Sequence, residues 1–483
     1  MLWSGWTSSA VFILAALAHG AVALRLLLRR RPHGETMAWL TLILAVPFVG
    51  ISLYLMIGES RLLRRRSEKE LIKRPAFVQL LTRHREGRKS PSPTLKPAEK
   101  RLEAHARALT GIDCQAGNEL DLIEDPLEFL RALAHDIDSA TRSVHLQFFI
   151  FNTTMLAAEV CAALERAAAR GVSCRILVDA VGSRDFLEGP DRARLEHAGV
   201  RVMGALPVGV FRMFVARADL RQHRKTVVID GRTGYTGSQN MVDPRDFKAT
   251  AGVGQWVDAM VRVRGPVVDA MEIMFLMDWE MDCGEDCSPL LEAIAADPAP
   301  PVGHATVQVI PSGPGATAGA FAKVLVAAIF AAEREVVLTT PYFVPDQLLK
   351  SSLEAAARRG VKVRLTVPKR TDSHLVNGAC RALMADLRQA GVEVHLFDDG
   401  LLHTKAVTID REFSFFGTAN LDMRSFWLNF ELMLAIYHDG ATMRVLAMQE
   451  AYEKRAVKLG GDIPRRFFGR LYDSVACLFT PVL

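Results

Sequence analysis

His223-Arg224-Lys225-Thr226-Val227-Val228-Ile229-Asp230, followed by Gly237-Ser238-Gln239-Asn240, returns 180 residues later. The second copy reads His403-Thr404-Lys405-Ala406-Val407-Thr408-Ile409-Asp410, followed by Gly417-Thr418-Ala419-Asn420. In a strand, side chains at i and i+2 share a face. His and Lys therefore point together in each copy, and Val227, Ile229, Val407 and Ile409 can anchor the strand in the core. One such motif alone would read as a surface strand with two polar residues. Two copies with the same His–Lys–Asp spacing, each followed at the same distance by Gly-[Ser/Thr]-x-Asn, point to chemistry. An imidazole works as nucleophile or acid near neutral pH. A lysine is a point charge for a phosphate oxygen. Ser238, Asn240, Thr418 and Asn420 can donate hydrogen bonds to the same oxygens. The pattern calls for neither metal nor cofactor, because Asp230 and Asp410 have no partnering carboxylates to hold Mg²⁺. These two aspartates belong to the motif, and their expected part is to stabilise its architecture.

The repeat extends outward. Leu164-Glu165-Arg166-Ala167-Ala168-Ala169-Arg170-Gly171-Val172 matches Leu353-Glu354-Ala355-Ala356-Ala357-Arg358-Arg359-Gly360-Val361. Each reads as a helix closed by a glycine and handed to a β-branched run. Ala198-Gly199-Val200-Arg201-Val202 matches Ala390-Gly391-Val392-Glu393-Val394, and apolar strands precede the helices at 144–151 and 336–340. The fold class is α/β: two similar layered halves, over 116–295 and 305–483, with residues 288–304 as their connection. An imidazole in catalysis needs its far nitrogen held. Asp258 and Glu431, 35 and 28 residues after the histidines of their own halves, are the candidates for orienting them; a carboxylate inside such apolar strands needs a partner.

The chain has 483 residues, 50% hydrophobic, with net charge +5. That charge fits an anionic partner without choosing among lipid, nucleic acid and sugar phosphate. The seven cysteines are scattered, and no second pair completes a zinc site with Cys283 and Cys287; they read as buried or free thiols of a reducing compartment. The apolar excess concentrates at the N-terminus. Residues 3–24 and 36–58 carry no charged side chain, and each is long enough for a helix of ~20 residues to cross a bilayer. Residues 1–60 thus predict a transmembrane helical hairpin, with Trp3, Trp6, Trp39 and Tyr54 near span ends. Arg29 to Arg31 and Arg61 to Arg66 make both flanks basic, so the topology stays open. Residues 61–115 read as a basic linker, with 14 Lys/Arg against 4 Glu over 61–101. That run and the cysteine usage favour a cytoplasmic catalytic domain.

The paired motifs resemble the phospholipase D superfamily. Gly237 to Arg245, Gly252-Val253-Gly254-Gln255-Trp256, Asn420-Leu421-Asp422-Met423-Arg424-Ser425 and the ending Phe479-Thr480-Pro481-Val482-Leu483 resemble its bacterial cardiolipin synthases, over essentially the whole chain. The resemblance implies two halves facing each other around one site. It implies His223 as nucleophile, forming a phosphohistidine, and His403 as general acid and later base. Lys225, Lys405, Asn240 and Asn420, helped by Ser238 and Thr418, would hold phosphate oxygens. Thr418 stands where the family often has Ser. The implied substrate is phosphatidylglycerol, the implied partner a bacterial inner membrane crossed by more than one span, with no nucleic acid. A hydrolase, a phosphatidyltransferase with another donor or acceptor, and a non-catalytic scaffold remain open, as does the oligomeric state.

The halves are unequal. Gly199 to His223 spans 24 residues and Gly391 to His403 only 12. The extra piece holds Leu206, Val208, Val210, Phe211, Met213, Phe214 and Val215, which can dip into a bilayer or pack inside. The tail from Arg465 to Leu483 mixes arginines with Phe467, Phe468, Leu471, Leu478 and Phe479 and reads as a second interfacial segment.

Overall fold

Short β-branched runs alternate with helices that bury one stripe, and that alternation sets the architecture of the larger of two compact units. The computed structural model describes residues 16–17, 19–28, 33–54, 93–207, 219–247, 252–315, 317–460 and 467–478. The principal strands of the first half are β1 (Gln115–Ile123), β2 (Ser143–Phe148), β3 (Ser173–Asp179), β4 (Arg201–Ala205), β5 (Thr226–Ile229), β6 (Thr233–Gly237) and β7 (Met260–Arg264). Those of the second are β8 (Ala305–Ser312), β9 (Glu335–Thr339), β10 (Lys362–Pro368), β11 (Glu393–Phe397), β12 (Ala406–Ile409), β13 (Phe413–Gly417) and β14 (Asn429–Tyr437).

One half runs β1-β7-β6-β5-β2-β3-β4 across its sheet, and the other β8-β14-β13-β12-β9-β10-β11, the same order. In each, three strands are parallel (β2-β3-β4 and β9-β10-β11) and the rest antiparallel. Antiparallel pairing of β1 with β8 joins the halves, with Gln115 opposite Val307. The helices Leu156–Ala169 and Gln347–Arg358 cover the parallel strands. They bury Val160, Leu164 and Ala167, and Leu349, Leu353 and Ala356, at helical spacing. Both stop where Gly171 and Gly360 take φ of +88° and +93°, a conformation that suits glycine at a helix end. Each half has its own core, and a third cluster with Val261, Val263, Val307, Leu432 and Leu434 spans the seam.

Two segments read as connections turn out to be packed structure. The helix Pro97–Thr110, assigned to the 61–115 linker, buries Leu102 and Ala106 in the core of the second half. Gln308 Nε2 donates to the carbonyls of Glu103 and Ile112. Within 288–304, the helix Ser288–Ala296 buries Leu291 and Ile294. Among the described residues no disulfide joins any of the seven cysteines.

The smaller, N-terminal unit has helices at His33–Ala45 and Pro47–Leu53, with residues 19–28 also helical. Pro47 opens the second of these, as its fixed φ favours. Leu26, Ile43 and Tyr54 are buried together, and Trp39 meets Tyr54 edge to face at 5.4 Å. Leu24, Leu28, Leu44 and Phe48 are exposed. Among the described residues no helix is long and apolar enough to cross a membrane. Residues 3–15, 18 and 55–58 of the expected spans lie outside the described residues, as do 61–92 of the basic stretch, 208–218 of the extra apolar piece, and 465–466 and 479–483 of the tail. Leu206 is described, half-buried with φ of +51°.

Asp230 and Asp410 lie at the far end of β5 and β12 from the lysines, five residues or about 16 Å away at ~3.3 Å per residue. Each has φ just above +50°. Asp230 accepts the N–H groups of Thr141, Arg142 and Ser143 at 2.9, 2.7 and 2.9 Å. Asp410 does the same for Glu333, Arg334 and Glu335 at 2.9, 2.7 and 2.8 Å. Both aspartates thus cap the chain entering β2 and β9. Asp410→Ala leaves three N–H groups without their acceptor and should cost about 2–3 kcal/mol of stability. The expected result is a lower thermal midpoint by calorimetry, with turnover per folded molecule changed only a few-fold.

Candidate active site

His223 and His403 each sit just before a central strand, on chain that crosses to the other half. Arg221-Gln222 pairs in parallel with Asn429-Phe430, and the His223 N–H donates to the Phe430 carbonyl at 3.0 Å. Leu401-Leu402 pairs in parallel with Trp256-Val257, and the His403 N–H donates to the Val257 carbonyl at 2.8 Å. Each histidine thus arrives beside the acid of the opposite half. His223 Nδ1 is 2.8 Å from Glu431 Oε1, and His403 Nδ1 is 2.6 Å from Asp258 Oδ1. Sequence distance had paired each acid with the histidine of its own half; the strand pairings exchange them. A carboxylate accepts and does not donate, so Nδ1 carries the hydrogen and Nε2 is left with its lone pair.

Lys225 and Lys405 are fully buried. Each ammonium donates to the carbonyl of its own histidine, at 2.8 and 2.5 Å. Among the described residues no other hydrogen-bond acceptor is seen for either, so both retain donors for a phosphate. Ser238 and Thr418 behave differently from the expectation that they face phosphate oxygens. Ser238 Oγ donates to Asp258 at 2.6 Å and Thr418 Oγ1 to Glu431 at 2.6 Å. Each hydroxyl also accepts an N–H from the neighbouring strand, Ala259 or Leu432. They hold the acids that hold the histidines. Asn240 Oδ1 accepts the Ile150 N–H at 3.1 Å, and among the described residues no acceptor is seen for its amide nitrogen. Asn420 lines a cavity of about 260 Å³ beside His223. The glycines before Ser238 and Thr418 are required by crowding: a Cβ on Gly237 would stand 2.5 Å from the Ala259 carbonyl oxygen.

Several contributing residues carried no motif. Asn429 Nδ2 donates to Glu431 at 3.3 Å, and it stands at i−2 from that acid, on the same strand face. Arg221, likewise two before His223, lines the cavity with Tyr342 and Arg424; strand alternation was the available signal for both. Phe149 lies against the His223 ring at 5.0 Å, and Trp256 against His403 at 4.4 Å. The segment before Lys225 is fixed from beneath by Asp278. That carboxylate takes Gln147 at 2.7 Å, Gln222 at 3.0 Å and the Arg224 guanidinium.

Burial dominates the electrostatics. It pushes both imidazoles down to about 4, against the pull of their carboxylates. It pushes Lys225 down to about 8 and Lys405 well below its ordinary value. Burial alone would raise Asp258 and Glu431, but the imidazoles and lysines beside them outweigh it and hold both below the usual range. Near neutral pH the histidines are therefore neutral and the acids ionised. The unfolded chain takes up protons on histidine below about 6.5, whereas the folded chain holds off to about 4. The contribution of the two histidines to stability should therefore be steady above pH 6.5 and fall as the pH drops from 6.5 to 4. Calorimetry across that window should show a shallower fall for the double variant His223→Asn/His403→Asn.

Two family models match the chain. One described as cardiolipin synthase, PLD-like domain covers residues 133–268 and 325–452. One described as phospholipase D-nuclease N-terminal covers residues 21–59. Cardiolipin synthase A of Yersinia pseudotuberculosis serotype O:3 is 40% identical over 473 residues, 96% of each chain. Cardiolipin synthase A of Yersinia pestis is equally similar. Among solved structures, phosphatidylserine synthase of Haemophilus influenzae shares the fold, with a TM-score of 0.58 at 14% identity over 79% of this chain and all of that one. With a duplicated α/β fold, two matched motifs meeting in one buried site and similarity along almost its full length, this chain belongs to the cardiolipin synthase family of the phospholipase D superfamily.

Proposed function

We propose that this chain transfers a phosphatidyl group from one phosphatidylglycerol to another, giving cardiolipin and glycerol, with His223 as nucleophile and His403 as acid and base. The observation that carries the mechanism is the crossed pair of histidine–carboxylate contacts, set beside two buried lysines. Similarity to cardiolipin synthase A supports the choice of lipid.

In the first step the His223 Nε2 lone pair attacks phosphorus. The bond from phosphorus to the glycerol oxygen breaks, and that oxygen takes a proton from His403. In the second step neutral His403 takes the proton from a glycerol hydroxyl of the second lipid as its oxygen attacks phosphorus. The phosphorus–nitrogen bond breaks and its electron pair returns to His223. Lys225, Lys405, Asn240 and Asn420 hold the non-bridging oxygens throughout.

The two ammoniums and two carboxylates cancel, and both imidazoles are neutral. A phosphodiester brings one negative charge, which favours a charged imidazole beside it. His403 thus acquires its catalytic proton along with substrate. Burial among aromatic rings keeps water from competing with the acceptor hydroxyl.

The N-terminal spans, with the basic stretch after them, hold the enzyme at the inner membrane, the catalytic unit on the cytoplasmic side. In support, residues 21–59 match the family's N-terminal model, and apolar side chains line the outside of the described helices. Anionic headgroups suit the cations of residues 61–101.

Purified enzyme with labelled phosphatidylglycerol vesicles should release glycerol and form cardiolipin; phosphatidic acid without cardiolipin would mark a hydrolase instead. The crossed pairing makes a sharper prediction. With a p-nitrophenyl phosphodiester, whose leaving group needs no proton, Asp258→Asn should still label His223. Glu431→Gln, though in the other half, should lose that labelling by roughly 10²–10⁴-fold. Mass spectrometry of the trapped enzyme reads the difference, and equal loss in both variants contradicts the assignment.

A further inference from the structure

The C-terminal helix Phe467–Leu478 inverts the usual arrangement of a surface helix. Its polar residue Asp473 faces inward, with Ala476 fully buried. Asp473 pairs with Arg381 at 2.7 Å. Phe467, Phe468, Leu471, Tyr472, Val475 and Leu478 are all exposed, from 42% to 79%. At 100° per residue these six positions form one continuous stripe along the outer face. A contiguous apolar stripe of this kind on a surface marks an interaction site.

The helix is seated on His374–Gln389, and the fit is close. A Cβ on Gly378 would stand 2.8 Å from Ala476 Cβ and 2.9 Å from Tyr472 Cε1. Two residues earlier on the same supporting helix, Val376 forms part of the cavity wall beside His223, together with Tyr342 and Val344. The rise between Val376 and Gly378 is about 3 Å. The two positions lie about 200° apart around the axis, so this one helix carries the cavity wall on one side and the seat of the C-terminal helix on the other.

We propose that the outer face of Phe467–Leu478 lies in the surface of an anionic bilayer and sets the catalytic cavity at the depth where lipid phosphates lie. The occupant is lipid rather than protein on two grounds. In sequence, Arg465 and Arg466 come just before this segment and Arg470 within it, and a stretch that mixes cations with apolar residues suits negatively charged headgroups. The cavity wall, on the other side of the supporting helix, carries apolar Val344 and Val376, which suit the glycerol backbone of a lipid. The bridging oxygen that leads to the diacylglycerol is equatorial when His223 attacks in line with the leaving group, so this arm departs sideways from phosphorus. This placement rests on the lipid-transfer reading above, and the test separates the two.

The full-length enzyme is prepared with photoreactive benzoylphenylalanine in place of Phe468 and reconstituted in vesicles of phosphatidylglycerol and phosphatidylethanolamine. Illumination should give adducts to lipid. Adducts to a second copy, to the N-terminal helices of the same chain, or none at all would overturn the proposal. In parallel, the double variant Phe467→Ser/Phe468→Ser should lose at least fivefold in cardiolipin formation in vesicles relative to its rate on short-chain phosphatidylglycerol in micelles. An equal loss in both formats indicates a merely structural helix and rejects the idea. Failure of the wild-type enzyme to make cardiolipin in either format would strike the lipid-transfer reading alone, because the crosslink is read independently of turnover.

Discussion

The molecule turns on the exchange of partners between its halves: the imidazole of each meets the carboxylate of the other. A buried carboxylate without a counter-charge or hydrogen bond is costly, and so is a buried lysine. Here four ionised groups are buried within one site, together with the two imidazoles. They are tolerable because each carboxylate receives an imidazole N–H and a hydroxyl, and each ammonium has a carbonyl. The seam between β1 and β8, and the short parallel pairings at Arg221-Gln222 and Leu401-Leu402, bring these contacts into being. Their geometry therefore depends on the whole duplicated sheet rather than on either motif.

Sequence periodicity reports relations inside a strand or helix, and there the reading was informative. The matched motifs, the glycine helix ends at Gly171 and Gly360 and the duplicated α/β order are all local patterns. The acids were found because Asp258 and Glu431 break apolar strands, but their partners were assigned by nearness in sequence. That rule fails where a short parallel pairing carries one half across to the other. Ser238 and Thr418 were legible as hydroxyls near the chemistry, while the direction of each proton was not. The helix Pro97–Thr110 was hidden by its prolines and charges. Leu102, Ala106 and Leu109 have the spacing of a buried stripe, yet a basic run next to them drew the eye to a tether. Arg221 and Asn429 needed only the i+2 rule, applied outward from His223 and Glu431.

The low basicity of both imidazoles comes from exclusion of water by Phe149, Trp256 and the surrounding strands. Asp278 gives the first motif a support that the second builds differently. Arg224 is tied to a buried carboxylate, whereas Thr404 Oγ1 reaches the Val257 carbonyl at 3.2 Å and Tyr452 at 3.2 Å. Duplication has kept the geometry of the reacting groups while the layer underneath has diverged.

The exchange of partners also has a bearing on the order of synthesis. His223 and Glu431 are 208 residues apart in the chain, and His403 and Asp258 are 145 apart. Contacts of such long range form late in folding, after the local elements are in place. A nascent chain carrying only its first half holds one histidine with no acid and one acid with no histidine. Reactivity toward phosphodiesters is thus withheld until the last strand of the second half is in place, so a partly made enzyme has no means of cleaving the lipids it will later join.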